Sequence, residues 1–423
     1  MNSYLSAGAI FAFGMLMWIS PLQANELAER FDNVTSIRSD VWSGTRSLDN
    51  DRNIPTASAW LKGKLDLDED YGKVVYDGWG RQEGRDKTRF ADYRVRELYW
   101  SDRLGSLDLK LGRIMTAWGR ADGINPTDNL SPRDFTLLAP EDGDLRFGNE
   151  AIQISYAGEN DVLSYWWFPK SASDTLPLAE QPGVQYDVQA PARKPQWALR
   201  LDHSSDGVDL SVSYFEGQDV IPDLSFAGID FNGVKIAVAN NPVRVLGADL
   251  SVRQGDVVWR AEAALTDTAT TGTLDFEHKK RQFTMVGGPE TTFNGITVGM
   301  QAVVQRVFDF ADPGNMICFS PTCAILQRIA IQQAAVSNQM REEQYGLVFR
   351  VAKRWIGDNL LTELSSVSFL AGRNSLVRTK IDYAIDDYWH VQGGSELYFG
   401  DSETFFGQLR DNNLAYLQVR YTF

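Results

Sequence analysis

Residues 414–423, LAYLQVRYTF, carry the pattern that decides the fold of this chain. Alternate side chains form one apolar face, which consists of Ala415, Leu417, Val419, Tyr421 and Phe423. The side chains between them are mainly polar and form the other face. A period of two with unlike faces is typical of a β-strand that lies between two different media.

The same alternation recurs along the chain, for example at 197–202, 208–214, 259–266, 344–351 and 377–385. Segments of about ten residues with this period are expected of a transmembrane β-barrel, whose apolar side chains face lipid and whose polar ones face the lumen. Strands of soluble β-sandwiches also alternate, but they are usually shorter and their apolar faces meet in one core. The pattern therefore favours the barrel.

The links between these segments are short and long in turn. Short links fall at 386–387, 288–292, 254–256, 205–207, 159–161, 102–104 and 69–72, and long links at 400–413, 309–343, 217–242, 170–195 and 120–148. Turns at one end and long loops at the other are typical of bacterial outer-membrane barrels, with periplasmic turns and extracellular loops. Links 371–374 and 353–359 depart from this contrast in length.

We therefore predict an all-β fold, a transmembrane antiparallel up-and-down β-barrel of about 18 strands. Sixteen strands is the alternative count, because the alternation is poor in 73–101 and 279–308. Aromatic girdles at the two membrane interfaces are supplied by 12 Trp, 15 Tyr and 22 Phe.

Composition excludes several other classes of protein. The 423 residues include 41 Lys+Arg and 56 Asp+Glu, which gives a formal charge of −15. An acidic chain repels the phosphate backbone, so nucleic acid is not expected as a partner. Two Cys and three His leave little material for a metal site or redox relay, and we predict neither metal nor cofactor.

The two chain ends carry candidate sorting signals. Residues 1–24 are uncharged and contain an apolar run from Leu5 to Ile19, which is typical of a secretory signal peptide cleaved after Ala24. A membrane-anchoring helix is the alternative, although the run is short for a span. The barrel then comprises 25–423. Tyr421 and Phe423 resemble the C-terminal signal of outer-membrane barrels, which implies the barrel assembly machinery and outer-membrane lipid as partners.

Strand parity assigns twelve basic and eight acidic side chains to the lumen. The basic residues are Lys62, Lys64, Arg94, Arg96, Lys110, Arg200, Arg253, Arg260, Arg350, Arg378, Lys380 and Arg420, and the acidic ones are Asp66, Asp108, Asp202, Asp209, Asp249, Glu262, Asp382 and Glu396. A mildly basic wall favours anions in the pore. The alternative is a ladder of ion pairs that satisfy one another across neighbouring strands.

The stretch 118–134, WGRADGINPTDNLSPRD, has the most distinctive sequence in the chain. It resembles a signature, W-G-R-x-D-x-x-N-P-x-D-x-x-x-P-R-D, of a poorly characterised family of bacterial outer-membrane β-barrels. The matching residues are Trp118, Gly119, Arg120, Asp122, Asn125, Pro126, Asp128, Pro132, Arg133 and Asp134. The resemblance covers 111–148 and implies a barrel that accompanies a lipid-type RND exporter of the inner membrane and a periplasmic carrier.

Turn-forming pairs such as Asn125-Pro126 indicate that loop 120–148 holds one shape. We expect Arg120 and Arg133 to form a charge network with the nearby aspartates. Such a loop either folds inward and narrows the pore or forms a rigid extracellular cap. Asp128, Asp142 and Asp144 do not match the spacing of an EF-hand, so a calcium site is not predicted.

Loop 309–343 contains Cys318 and Cys323. Their spacing, together with the predicted export to an oxidising compartment, predicts a structural disulfide between them. The following stretch, 324–340, lacks Gly and Pro and is rich in helix formers, which predicts a helix. That helix either plugs the lumen mouth or packs against neighbouring loops.

His203, His278 and His390 are the only histidines, and no nucleophile motif accompanies them, so we predict that the chain is not an enzyme. The first functional hypothesis is a conduit of an envelope export system for lipidic or amphiphilic molecules. The alternatives are a free-standing diffusion porin with mild anion preference and a structural or adhesive barrel.

Overall fold

The computed structural model describes residues 30–45, 52–68, 71–84, 89–178, 181–268 and 279–423. The predicted signal peptide at 1–24 lies outside the described residues. No helix in the described part is both long and apolar enough to cross a membrane.

The described chain consists mainly of β-strands. In chain order they are β1 (Phe31–Gly44), β2 (Asn53–Asp68), β3 (Gly72–Gly84), β4 (Arg89–Leu104), β5 (Leu107–Ile114), β6 (Asn149–Ala157), β7 (Asp161–Phe168), β8 (Val184–Val188), β9 (Gln196–Ser205), β10 (Val208–Gln218), β11 (Asp223–Asp230), β12 (Gly233–Ala239), β13 (Pro242–Gln254), β14 (Val257–Thr268), β15 (Gln282–Phe293), β16 (Ile296–Val307), β17 (Glu343–Trp355), β18 (Leu360–Phe369), β19 (Ser375–Ala384), β20 (Trp389–Phe399) and β21 (Leu414–Thr422). The helices are α1 (Asp142–Leu145), α2 (Pro321–Val336) and α3 (Phe405–Gln408), with short 3-10 turns at Pro313–Asn315 and Arg410–Asn412.

Eighteen of the strands form one antiparallel sheet in which each strand pairs with its neighbours along the chain. The sheet closes because β1 pairs with β2 on one side and with β21 on the other, where Ser36 lies opposite Thr422. Closure removes every free edge from the sheet, which a membrane-spanning structure requires. The predicted up-and-down barrel of 18 strands is confirmed, and the alternative count of 16 strands is wrong.

The turns predicted at 102–104 and 288–292 are wrong. Both stretches lie inside strands, and the chain reverses instead at Gly105 and at Asn294-Gly295, where φ is positive. Asn-Gly suits a two-residue hairpin turn, since both of its residues tolerate that conformation. Gly288 and Pro289 therefore lie within β15.

Side chains alternate between two environments, as strand β9 illustrates. Trp197, Leu199 and Leu201 are exposed on the outside of the barrel, whereas Ala198 and Arg200 are buried on the inside. An outward apolar band and a polar interior are the arrangement of an outer-membrane barrel. The predicted location in the outer membrane is thereby supported by the fold.

Three strands and one helix form a separate unit on the loop side, which we call the cap. Strands β8, β11 and β12 make a small sheet, and α2 packs against it through Ile325 and Ile329. The small sheet contributes Leu224, Ile236 and Val238 to the shared apolar core. The predicted helix at 324–340 therefore begins and ends a few residues earlier, and it packs against loop segments rather than filling the barrel.

The end of α2 nearest the disulfide is well defined. Ser320 caps the helix by accepting a hydrogen bond from the N–H of Cys323. Cys318 and Cys323 are joined in a disulfide, which confirms the predicted pairing.

Because the outward apolar band faces lipid, a charged substitution in it is predicted to lower the free energy of unfolding more in the middle of the membrane than near its surface. We expect Leu199→Arg, near the middle of β9, to lower the free energy of unfolding by about 2–4 kcal/mol. The matched variant Leu107→Arg, beside the Gly105 turn, is expected to cost less than about 1 kcal/mol because its side chain reaches the interface. Urea unfolding from lipid vesicles measures both values, and equal costs would contradict the assigned membrane depth.

Candidate functional site

The loop between β5 and β6, residues 115–148, turns into the barrel; we call it the inner loop. Its first half contacts the inner wall at β13–β16, and its second half contacts β1, β3, β4, β19 and β20. These two groups of strands lie on different sides of the lumen. The inner loop therefore crosses the barrel interior, and it is the candidate functional site.

Glu262 of β14 holds the first half of the inner loop. The backbone N–H groups of Arg120, Ala121 and Thr127 donate to its carboxylate at 3.0, 3.2 and 2.8 Å, and the Thr127 hydroxyl donates at 2.7 Å. Glu262 is only 1% exposed. A buried carboxylate is stable only when its oxygens accept hydrogen bonds, so this contact fixes the loop firmly to the wall.

Gly119 permits this approach. Its φ is +95°, a conformation that favours glycine, and a Cβ at this position would lie 2.5 Å from Oε2 of Glu262. The residue thus has two independent reasons to be glycine.

Arg120 extends from the inner loop to a cluster of wall carboxylates. Its Nε donates to Oδ1 of Asp249 at 2.5 Å, and its guanidinium lies 3.9 Å from Asp202 and 3.6 Å from Asp209. Arg200 also pairs with Asp249, at 2.9 Å. Arg120 was expected to pair with aspartates of its own loop, and that expectation is wrong because the wall supplies its partners.

Asp122 also contacts the wall. Its N–H donates to Oε1 of Gln301 at 3.0 Å, and its carboxylate lies 3.6 Å from Arg260. Burial raises the pKa of Asp122 above its usual range, while the charge of Arg260 acts in the opposite direction.

The centre of the inner loop contains its own charge network. Asp128 accepts from Arg133 at 2.8 Å and from both terminal nitrogens of Arg146, and the N–H of Trp118 donates to it at 3.3 Å. The local network predicted for Arg133 thus exists, with Arg146 as a partner that sequence reasoning missed. Asn125 faces the carbonyl oxygens of Ala121 and Ile124, which its amide nitrogen reaches at 2.8 and 3.0 Å.

The second half of the inner loop is held by the opposite wall. Asp134 accepts from Arg94 at 2.7 Å, and the carbonyl of Leu138 accepts from Arg81 at 3.0 Å. Both arginines belong to strands β3 and β4.

Short helix α1 and the residue before it provide three further contacts to the wall. Glu141 pairs with Lys380, Asp142 with Arg378 at 2.7 Å, and Asp144 with Arg38 at 2.6 Å. Asp142 and Asp144 thus have separate basic partners. No group of side chains in the described part forms a metal-binding cluster.

The structure places all twelve basic residues assigned to the lumen on the inner face of the barrel. Nine of them form an ion pair within 4.0 Å: Lys64, Arg94, Arg96, Arg200, Arg260, Arg350, Arg378, Lys380 and Arg420. Lys62 lies opposite Asp77 on β3, and the ammonium of Lys110 lies 5.5 Å from the centre of the Tyr99 ring. Arg253, the last of the twelve, donates to the carbonyl of Gly255 at 3.3 Å.

Sequence parity overestimated the positive charge of the lumen. It missed inward acids in strands where the alternation is weak, namely Asp40, Asp77, Glu97, Glu290 and Glu363. It also missed the inner loop, which brings six acids and only three bases into the barrel. These contacts favour the ion-pair ladder over an anion-attracting wall.

A buried lysine joins the loops outside the barrel. Nζ of Lys279 lies 2.7 Å from Asp219 and 3.6 Å from Asp223, and it also donates to the carbonyl of Ile221. Burial alone lowers the pKa of a lysine, but the two aspartates outweigh this effect and hold the pKa of Lys279 above its ordinary value. Asp174 lies in the same cluster and accepts from the N–H of Arg133 at 2.7 Å.

A cavity of about 1970 Å³ lies between the inner loop and the cap; we call it the vestibule. The inner loop, the inner faces of β17–β19, helix α3 and one side of α2 line it. The cap helix therefore lies over the mouth of the lumen.

The remaining predicted residues lie elsewhere. Tyr421 packs between Trp389 and Phe423, with ring centres 4.8 and 5.6 Å away, and Phe423 exchanges backbone hydrogen bonds with Thr35. His203 and His390 each face an aspartate near the turn end, at 2.8 and 3.1 Å. His278 lies outside the described residues.

The contact between Gly119 and Glu262 predicts a displaced loop in Gly119→Ala. The reporter is a cysteine introduced by Ala121→Cys at a buried position of the inner loop. We expect it to react with a water-soluble methanethiosulfonate at least about tenfold faster in the Gly119→Ala background. The reason is that loss of a hydrogen-bonded contact worth about 1.4 kcal/mol changes the equilibrium between the bound and the displaced loop tenfold. The control is Gly143→Ala in α1, where a Cβ meets no atom within 4 Å. Equal reactivity in both backgrounds would contradict the role of the contact between Gly119 and Glu262.

The Asp174 cluster predicts loop packing that weakens as the pH rises. Burial raises the pKa of Asp174 to about 7, whereas an opened loop has the ordinary value of about 3.9. The stabilisation is therefore complete below about pH 4 and is lost as the pH rises through 7. Hydrogen exchange at the amides of Thr175 and Phe135, corrected for intrinsic rates, is expected to show less protection at pH 8 than at pH 5. Asp174→Asn removes this pH dependence, and protection that increases with pH would contradict it.

No protein-family model and no curated protein sequence matches this chain. Solved structures do match in fold. OccAB3 of Acinetobacter baumannii has a TM-score of 0.56 at 10% identity, covering 93% of this chain and 99% of that one. A BenF-like porin of Pseudomonas fluorescens Pf-5 has a TM-score of 0.55 at 10% identity, with coverage of 93% and 99%.

OccK2 (OpdF) of Pseudomonas aeruginosa, whose crystal structure contains glucuronate, has a TM-score of 0.54 at 13% identity and covers 93% of this chain and 98% of its own. At these identities the likeness concerns the fold. The chain forms an 18-stranded β-barrel of the outer-membrane porin type.

Proposed function

We propose that this chain is an outer-membrane conduit for lipidic or amphiphilic molecules and that its inner loop gates the lumen. The observation that carries the proposal is the fixation of one loop to two sides of the barrel. Glu262 holds one half, and Arg38, Arg378 and Lys380 hold the other. A loop fixed in this way obstructs the lumen until something displaces it, whereas a general diffusion pore needs no such displacement.

The chemistry of the vestibule supports an amphiphilic cargo. Its wall includes the apolar side chains of Val348, Val367 and Leu376, which face the lumen, together with Ile124 of the inner loop. The charged residues Arg350 and Arg378 follow directly below them. A surface that is apolar above and charged below suits a molecule with one apolar end and one polar end.

The place of the conduit in an export system is the finer part of the proposal. It rests on the resemblance of 118–134 to the barrel family that accompanies RND-type exporters and periplasmic carriers. In this proposal the exporter supplies the energy and the carrier delivers the cargo to the periplasmic end. The barrel itself performs no chemistry.

A free-standing diffusion porin is the second candidate, and the shared fold with OccAB3, OccK2 and the BenF-like porin favours it. Glucuronate, the molecule in the OccK2 crystal, is a small polar anion. The basic residues of the present lumen are largely engaged with carboxylates, which weakens the case for a similar cargo here. An adhesive barrel is the third candidate, supported by Phe231 and Phe319 of the outer loops, which are 96% and 94% exposed.

Single-channel currents in a planar bilayer test the gate. We expect silence or brief openings for the unaltered chain and steady openings for Glu262→Ala. Glu262→Ala removes all four hydrogen bonds at this side chain. A net loss of at least about 2 kcal/mol corresponds to an open probability at least about tenfold higher. A salt gradient across the same bilayer measures ion selectivity.

The matched control is Glu216→Ala. Glu216 is on β10, two strands away from β14, and it pairs with Arg244 on the outside of the barrel. Both variants are first shown to be folded by their heat-modifiable mobility on gels. Large, steady currents with anion preference in the unaltered chain would overturn the gate and establish the diffusion porin.

A further inference from the structure

We propose that the vestibule is a binding site for amphiphilic cations, that is, for molecules with an apolar body and a positively charged head group. This inference rests on the proposed function for the amphiphilic nature of the cargo. It adds the sign of the head group, which neither the fold nor the resemblance of 118–134 provides.

The register of the barrel creates one apolar row on the vestibule wall. Val348 lies opposite Val367, Val367 opposite Leu376, and Leu376 opposite Tyr398, so the four side chains sit side by side on β17–β20. Phe405 of α3 packs against the same cluster. The row is a continuous apolar surface on which the body of an amphiphile can lie.

A charged row lies directly below, two residues further along each strand toward the turns. It contains Arg350, Arg378 and Glu396, with Ser365 between the two arginines. Two residues of a strand correspond to about 7 Å. An amphiphile can therefore lie with its apolar chain on the apolar row while its head group reaches the charged row.

The arginines of this row are already neutralised. Arg350 pairs with Glu363 at 2.7 Å, and Arg378 pairs with Glu396 at 3.0 Å and with Asp142 at 2.7 Å. An anionic head group at either arginine lies beside a carboxylate that already neutralises that arginine, so the two negative charges repel each other. A cationic head group breaks no pair, since it approaches the outer oxygens of the carboxylates.

The acid is the more accessible partner at two contacts between the inner loop and the wall. The side chain of Asp142 is 62% exposed and that of its partner Arg378 is 34% exposed. Glu141 is 43% exposed, compared with 23% for Lys380. At these two contacts the carboxylate therefore presents more of its surface to the vestibule than its basic partner does.

The vestibule as a whole has an excess of acidic side chains. Among the described residues that line it, eleven are acidic and eight are basic. An acidic excess in a cleft with low-dielectric walls attracts cations. The rings of Tyr398 and Phe405 add a surface that favours a cation over an anion.

Binding of small matched probes tests the proposal with the full chain in lipid nanodiscs. We compare hexyltrimethylammonium, hexanesulfonate and tetramethylammonium by isothermal titration calorimetry and subtract the heat measured with empty nanodiscs. Hexyltrimethylammonium is expected to bind at least about tenfold more tightly than either of the other two, because only it combines the apolar chain with the positive charge. Equal or tighter binding of hexanesulfonate overturns the sign of the head group, and equal binding of tetramethylammonium overturns the role of the apolar row.

A charge-neutralised variant locates the site. Glu141→Gln combined with Asp142→Asn keeps the shape of both side chains and is expected to weaken hexyltrimethylammonium binding about fivefold. The control is Asp387→Asn, a carboxylate in the exposed turn at the opposite end of the barrel. Unchanged binding in the double variant overturns the site.

These measurements need no open lumen, so they separate the inference from the proposed function. Selective binding without gated currents would refute the conduit and leave the site in place. Gated currents without selective binding would refute the cation site and leave the conduit in place.

Discussion

The buried carboxylate of Glu262 is the interaction on which the arrangement of the lumen depends. A carboxylate that is 1% exposed requires hydrogen bonds to remain charged, and the inner loop supplies four of them. The same bonds satisfy backbone N–H groups of a loop that has no regular secondary structure there. Wall and loop are therefore stable in this form only together, and the missing Cβ of Gly119 allows the close approach.

The ion pairs across the lumen follow from the size of the barrel. Eighteen strands enclose more space than the side chains of the wall can fill, which leaves room for another segment to enter. When the inner loop enters, it brings acids to a wall that already contains many bases, and pairs such as Arg378–Asp142 and Arg38–Asp144 form between segments far apart in the sequence. The result is a nearly neutral wall below an acidic vestibule.

The cap is held to the barrel by a second buried charge. Lys279 draws Asp219 and Asp223 together with the backbone of Ile221, and Asp223 also accepts from Gln333 of α2 at 2.6 Å. A buried ammonium is unfavourable without such partners, so the strand ends and the cap helix are coupled through one side chain. The cap thereby acquires a fixed position over the vestibule, although its own core lies among β8, β11, β12 and α2.

The sequence pattern alone predicted the barrel, because a strand between lipid and lumen must alternate and this requirement leaves a pattern of period two in most of the strands. It also predicted the disulfide and helix α2, since both depend on neighbours in the sequence. It misplaced the turns at 102–104 and 288–292, and at the second of these Gly288 and Pro289 inside a strand resemble a turn.

The partners of the site were decided only by the tertiary structure. The sequence predicts that Arg120 pairs within its own loop, yet barrel closure brings it to Asp249, and Arg146 enters the network of Asp128 although no motif marks it. The positive charge of the lumen was also overestimated, because the inner loop contributes its acids to the lumen only after it has folded inward. Local patterns report the medium that each residue faces, whereas contacts across a wide lumen depend on the path of the whole chain.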